Sequence, residues 1–445
     1  MIGMKYETIK TTVLIVLVLS SIILTWTLWT YQPQYKDLLG TDDLVEEVTT
    51  NNTKETQRII RPNKILYHID GQHFGTFKET ELNKVMKELR YWEVNDVQNI
   101  THQVQDQGLA NFLSQSGHVE IKFPNPIPLQ LYKSFLSIND KDHSLLTFDR
   151  LVVDVNSENH GEGNVYFVST GENLVYEGHV SSGFIKEFKR SFYTTAVRYP
   201  EQIEYTLTDT DSLYLPKDVT TTNSYEYLID VIGIDTFIER LFTNASRVKR
   251  DDLTTATVHT DGTRLLRVYH NQNYIQFLNP TRVSGNSSET TDLIQTSIDY
   301  VNEHVGWTDD YRFFSWNKEN QTTVFKLYID NIPVFSSSRI SDIIQQWENN
   351  DIASYLHPSI SLNIKYETVE TILPKGERVM ETITSKQNFN PELLESVTIA
   401  YELREREDNS QLVSLQPIWM YRYNGSWIKA EIRDEDAGGN RDGLE

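Results

Sequence analysis

The pattern of apolar and polar positions divides the chain into an uncharged N-terminal run, a polar stretch and a long body of alternating elements. Lys10 and Lys36 are the nearest charges around residues 11–35, and the apolar heart of that run is 11–31, TTVLIVLVLSSIILTWTLWTY. A bilayer core takes about 20 helical residues, so the run predicts a transmembrane helix over 11–31. Trp26, Trp29 and Tyr31 stand at its C-terminal end, where aromatic rings favour the headgroup zone. A cleaved leader has a shorter apolar core, about 7–15 residues, followed by a small-residue site. Neither feature precedes Gln32-Pro33. Lys5 and Lys10 lie before the run and Lys36 after it. That bias makes residues 1–10 a cytoplasmic stub and puts the body on the extracytoplasmic side. Ser21 and Thr25 are four apart and share a helix face with Leu14, Leu17, Val18 and Leu28. Small residues at that spacing admit a second helix, and their hydroxyls can bond across to it or back to their own turn. These six residues are the candidate helix–helix contact face.

Residues 32–61 are polar and acidic and read as a linker. The body opens at Lys64-Ile-Leu-Tyr-His-Ile, a strand. Thr76 and Glu79 have capping-box spacing, and Leu82, Val85, Met86 and Leu89 repeat as a helix over 79–91. Strands are expected at 117–123, 148–155, 164–169 and 174–178. Ile234, Phe237, Ile238 and Leu241 mark another helix, followed by a hairpin of 265–269 with 274–278. Ile294, Ile298, Val301 and Val305 line a third helix, followed by a hairpin of 324–329 with 332–335. Ile340, Ile343, Ile344 and Trp347 have helical spacing. Val397, Ile399, Tyr401 and Leu403 alternate, as do Leu415, Trp419, Tyr421 and Tyr423, and Asn424-Gly425 supplies a tight turn before Trp427. Leu265-Leu-Arg-Val-Tyr269 and Val324-Phe-Lys-Leu-Tyr328 match in pattern, which suggests a repeat. Helices beside antiparallel strands indicate an α+β class. The body divides into extracytoplasmic parts at 62–199, 200–288 and 289–445.

Composition narrows the chemistry. The chain has 445 residues, 38 % of them hydrophobic, which is enough for sizeable cores. It has no Cys, which excludes disulfides, thiolate metal sites and cysteine nucleophiles. A net charge of −22 opposes nucleic-acid binding, because phosphate contact needs a basic face. The tightest basic cluster, Arg247, Lys249 and Arg250, runs into Asp251 and Asp252. There is no phosphate-binding loop, dinucleotide fingerprint or HExxH motif. Gly161-Glu162-Gly163 is a turn. Gly178-His179-Val180-Ser181-Ser182-Gly183 lacks nucleophile-elbow spacing. His68 and His73 flank Asp70-Gly71, yet no third metal ligand stands beside them. Pairs such as Asp309-Asp310 arise readily among 63 acidic residues. No catalytic, cofactor or metal residues are assigned. An anchored cell-wall enzyme and a wall-ligand-binding module remain open on these residues.

Particular residues also carry a family likeness. Glu7-Thr-Ile-Lys10, Ser21, Leu24-Thr25, Leu28-Trp29, Gln32-Pro33 and Tyr35 resemble the opening of the YycH (WalH) family of low-GC Gram-positive bacteria. Arg61-Pro62 leading into Ile65-Leu-Tyr-His68 resembles the start of that family's extracellular part. Leu415-Gln-Pro-Ile-Trp-Met-Tyr421 is similar to its end. The resemblance implies a cytoplasmic stub, one membrane helix and a three-domain extracytoplasmic body whose last two domains resemble the partner protein YycI. It also implies association with YycI and with the membrane sensor kinase YycG (WalK), contacts between membrane helices, and control of the essential cell-wall two-component system. It implies neither enzyme activity nor a cofactor.

Overall fold

The computed structural model of the chain describes residues 14, 17, 18, 20 and 21, and residues 54–432 apart from 134, 140–145, 158–160, 209, 270–271, 281–289 and 407–410. The chain forms two compact units, Met1–Thr50 and Asn51–Glu445. In the first, the described residues are helical, and the Ser20 hydroxyl donates to the Leu17 carbonyl at 2.9 Å. Most of the run 11–31 lies outside the described residues. Among the described residues no helix is long and apolar enough to cross a membrane.

The second unit is α+β and rich in sheet. Its first sheet has ten strands: β1 (Lys64–Ile69), β2 (Gln72–Thr76), β3 (Glu93–Asn99), β4 (His118–Pro128), β5 (Ser137–Asn139), β6 (Thr147–Asp154), β7 (Glu162–Ser169), β8 (Leu174–Ser181), β9 (Glu201–Thr206) and β10 (Ser212–Pro216). Their order is β10-β9-β2-β1-β4-β6-β7-β8-β3-β5. The period-two pattern gives this sheet two different faces. Ile65, Tyr67, Val119, Ile121, Leu151, Val153, Val165 and Phe167 share one face and join the main core. On the other face, Val152, Tyr166, Val168 and Val175 pack beneath Val104, Leu109, Phe112 and Leu113 of two short helices. The rest of that second face carries Lys64, His68, Glu120, Lys122 and Arg150 around the buried Leu66.

The second sheet has fourteen strands and begins at Thr220. Its edges are Lys249–Asp252 and Ile360–Leu373. The period-two reading of 397–423 holds. Ile399, Tyr401 and Leu403 are buried on Leu394–Glu405, and Leu415, Trp419 and Tyr421 on Leu412–Tyr423. Asn424 and Gly425 both have positive φ, 48° and 75°, and close a two-residue turn between Tyr423 and Ser426. The helices Glu79–Leu89, Ile234–Leu241 and Thr290–Glu303 form where the 3.6-residue period placed them.

Three local expectations are corrected. Residues 340–347 are not helical, since Asp342–Glu348 is a strand burying Ile343, Gln345 and Trp347. The polar Gln345 masked the alternation, and its amide is buried because it donates to the Ser297 carbonyl at 3.1 Å. The hairpin of 324–335 is brief. Thr322–Ile329 meets Ile332–Ser336 at two pairs, after which the latter runs parallel to Leu394–Glu405. No capping box forms at Thr76, whose hydroxyl accepts from Lys78 N–H at 3.1 Å.

Glu79 is drawn elsewhere, into a polar latch between the sheets. Arg312 donates to Glu79 at 2.9 Å, to Asp310 at 2.5 Å and to Asn331 at 2.6 Å. Asn331 in turn donates to the carbonyls of Asn63 and Phe77. Charged hydrogen bonds of this kind are about twice as strong as neutral ones.

Candidate functional site

The polar half of the first sheet gathers a cluster of buried polar and charged side chains, Glu120 and Arg150 among them. Asp70 and Gly71, with φ of 48° and 79°, turn β1 into β2 and set His68 opposite His73. The two rings meet Nδ1 to Nδ1 at 2.7 Å, so one proton lies between them. His68 Nε2 meets Glu120 Oε1 at 2.8 Å, and Arg150 donates to the other Glu120 oxygen at 2.7 Å and to Asp211 at 2.5 Å. At the outer end His73 Nε2 is 3.5 Å from Glu204, which accepts from the Tyr214 hydroxyl at 2.9 Å. Burial alone would raise the Glu120 carboxyl, but Arg150 and His68 outweigh it and hold it well below the usual range. Burial, reinforced by His68, lowers His73. Burial also pushes the Lys64 ammonium down to about 7, where it donates to Gln202 and to the Tyr214 carbonyl. This is an interlocked ion network that ties β1, β2, β4, β6, β9 and β10 together. Among the described residues, no group of three or more His, Cys, Asp or Glu is placed to hold a metal ion.

The other sequence candidates are separate. His179 bonds to Asn164, while Ser181 caps the helix Ser182–Phe188 through Gly183 N–H. Asp309 accepts from Leu362 N–H at 3.0 Å, and burial raises its carboxyl to about 6. Its neighbour Asp310 pairs with Arg312. Arg250 lies on an exposed edge strand and pairs with Asp252. On the candidate helix face, Leu14, Leu17, Val18 and Ser21 are helical and exposed. Thr25 and Leu28 lie outside the described residues.

Two surface features had no signal in the sequence pattern. One is a groove of about 530 Å³ lined by Asn125, Pro126, Thr147, Ser169, Trp316 and Lys318. Its wall is fixed where Trp316 Nε1 donates to the Pro126 carbonyl at 2.9 Å. The groove draws on both sheets, so no single stretch of chain announces it. The other is the strand Ile360–Leu373, a sheet edge exposed over 363–370. Its mix of Ile, Lys, Tyr, Glu, Thr and Val is ordinary for a strand. What distinguishes it is its place in the sheet.

Two models of the YycH protein match this chain, the N-terminal domain over residues 7–196 and the C-terminal domain over 210–436. The two-component system WalR/WalK regulatory protein YycH of Bacillus subtilis (strain 168) is 28% identical over 452 residues, covering 98% of this chain and 99% of that protein. The crystal structure of YycH from Bacillus subtilis superposes with a TM-score of 0.72 at 24% identity, covering 86% of this chain and 98% of that one. The sequence likeness therefore runs through nearly the full length, and the likeness of fold through 86% of this chain.

Proposed function

This chain belongs to the YycH family, and on that premise we propose that it is a membrane-anchored regulator of a WalK (YycG)-type sensor kinase. The observation that carries the reading is the full-length match to a protein named as a WalR/WalK regulator. In this reading residues 11–31 span the membrane, residues 1–10 are cytoplasmic and the body is extracytoplasmic. The partners are a YycI-like protein and the kinase, and the output is cell-wall metabolism. The N-terminal family model starts at residue 7 and so takes in the apolar run, which supports treating the run as part of the working protein. No catalytic role is assigned to the polar network, whose charges are already engaged with one another.

The coupling is physical. A second helix biases a kinase when it binds the kinase's two signalling states unequally. A difference of about 1–3 kcal/mol shifts their balance about 5–150-fold. A few packed small side chains and a hydroxyl bond of about 0.6 kcal/mol supply energies of that order. The face of Leu14, Leu17, Val18, Ser21, Thr25 and Leu28 is where we place that contact.

Purification from membranes, with and without residues 1–35, tests the reading. The full chain is expected to bring down the kinase and the YycI-like protein, identified by mass, and the shortened chain much less. A full chain that recovers neither protein contradicts it.

A further inference from the structure

The strand Ile360–Leu373 pairs on its inner side with Thr220–Val231 along its whole length. No strand among the described residues pairs with its outer side. Ile364, Tyr366, Val369 and Ile372 are 55, 65, 50 and 64 % exposed. Ile364 lies opposite Leu228 and Val369 opposite Ser224, on one face of the sheet, while Ile372 lies opposite Thr221 on the other. A surface used face-on would gather its apolar groups on one side. Exposure on both sides of one strand points instead to its free edge. Such an edge presents a row of N–H and C=O groups that template a further strand.

The edge is also selective. Its ladder with Thr220–Val231 breaks register twice, at Glu226/Tyr227 and at Leu228/Ile229. Such bulges discourage indiscriminate pairing. The Lys365 ammonium folds back over the Tyr225 ring at 4.3 Å. Glu367 and Glu370 remain exposed along the edge. A second copy pairing antiparallel about a two-fold axis in this stretch would bring these glutamates towards their own counterparts, and like charges set opposite one another are destabilising. The strand's root is fixed as well, because Leu362 N–H is held by Asp309 and the Asp309 carbonyl accepts from Lys54 Nζ at 2.8 Å.

We propose that Ile360–Leu373 is a docking edge that accepts a strand of a different protein by main-chain addition. The incoming strand carries apolar residues on both faces and Lys or Arg where it meets Glu367 and Glu370. The proposal rests on the reading above, in which the chain works by associating with other membrane-anchored proteins, and it adds the surface they use.

The absence of Cys makes the test clean. Full chain carrying Thr368→Cys is labelled in membranes with an impermeant maleimide, with and without the co-expressed YycI-like protein and kinase. Arg250→Cys, at the opposite edge of the same sheet, is the control, and Glu370→Cys repeats the test at a second edge position. Labelling follows the free fraction, so partner at about ninefold its Kd slows the edge cysteines about tenfold and leaves the control unchanged. Glu367→Lys with Glu370→Lys should lower co-purification several-fold while the melting temperature is kept. Unchanged labelling of both edge cysteines in a chain that co-purifies with its partners overturns the docking edge but not the regulatory reading. Edge cysteines already slow without partners overturn it too, since a second copy or this chain's own segment then covers the strand. Failure to co-purify at all overturns the regulatory reading, and the proposal falls with it.

Discussion

Arg150 shows how much one side chain can hold. It is buried and is bonded to Glu120 and Asp211 from different parts of the first sheet. Removing one partner of a buried ion pair strands the others without compensation. Arg150→Met is therefore expected to cost about 3–5 kcal/mol in denaturant unfolding. Adding Glu120→Leu should return part of that loss, because the stranded carboxylate goes too. Asp309 carries a pH dependence. Its carboxyl is raised by burial to about 6 in the fold, above the ordinary 3.8. The stabilisation from its neutral form is complete below about pH 3.8 and is lost as pH rises through about 6. Asp309→Asn keeps an acceptor for Leu362 and removes the titration. Its melting temperature relative to the parent should therefore be higher at pH 7 than at pH 5, and an equal difference at both would refute the assignment. At this scale the sequence was partly legible. His68 and His73 stand out by proximity along the chain, but Glu120 and Arg150 come from strands far along it, and spacing cannot show a contact made by sheet register.

At the scale of elements, legibility followed periodicity. The final strands declared themselves because their buried positions alternate and Asn424-Gly425 has the turn's required positive φ. Asp342–Glu348 was hidden because a hydrogen-bonded Gln345 occupies an inward position. The edge Ile360–Leu373 was hidden for another reason, since exposure of a strand depends on what lies beside it in the sheet. Trp419 is buried and donates its indole N–H to the Pro374 carbonyl at 3.1 Å. Trp419→Ala should cost about 3–5 kcal/mol. A variant of parental stability with lost partner binding would make that ring an interface anchor instead. For the run 11–31, N-terminal sequencing of membrane-extracted protein should find it retained, and a mature start near residue 32 would contradict the anchor. Ser21→Leu with Thr25→Leu should weaken kinase control while Ile15→Leu with Val16→Leu does not, as read from a reporter of kinase output at matched protein levels. One interhelical bond is worth a factor of about 3, so weakening is expected rather than abolition.

The whole molecule combines two sheets latched through Arg312 and Glu79 with a net charge of −22 and no Cys. Such a body needs no disulfide to fold, and the buried Arg150 and Arg312 pair within it with Glu120 and Asp310. Among the described residues, exposed apolar side chains cluster on the edge strand at Ile364, Tyr366, Val369 and Ile372 and at Leu14, Leu17 and Val18, while others such as Tyr91 and Val231 are scattered. That distribution suits a protein whose work is association. Under the proposed function, this association sets the state of a WalK-type kinase. The most direct measurement is the phosphorylated fraction of the kinase's response regulator in cells with and without the full chain, at equal levels of kinase. A change within the range of about 5–150-fold that a coupling of about 1–3 kcal/mol allows is expected, reversed when the full chain is restored. An unchanged phosphorylated fraction would contradict it.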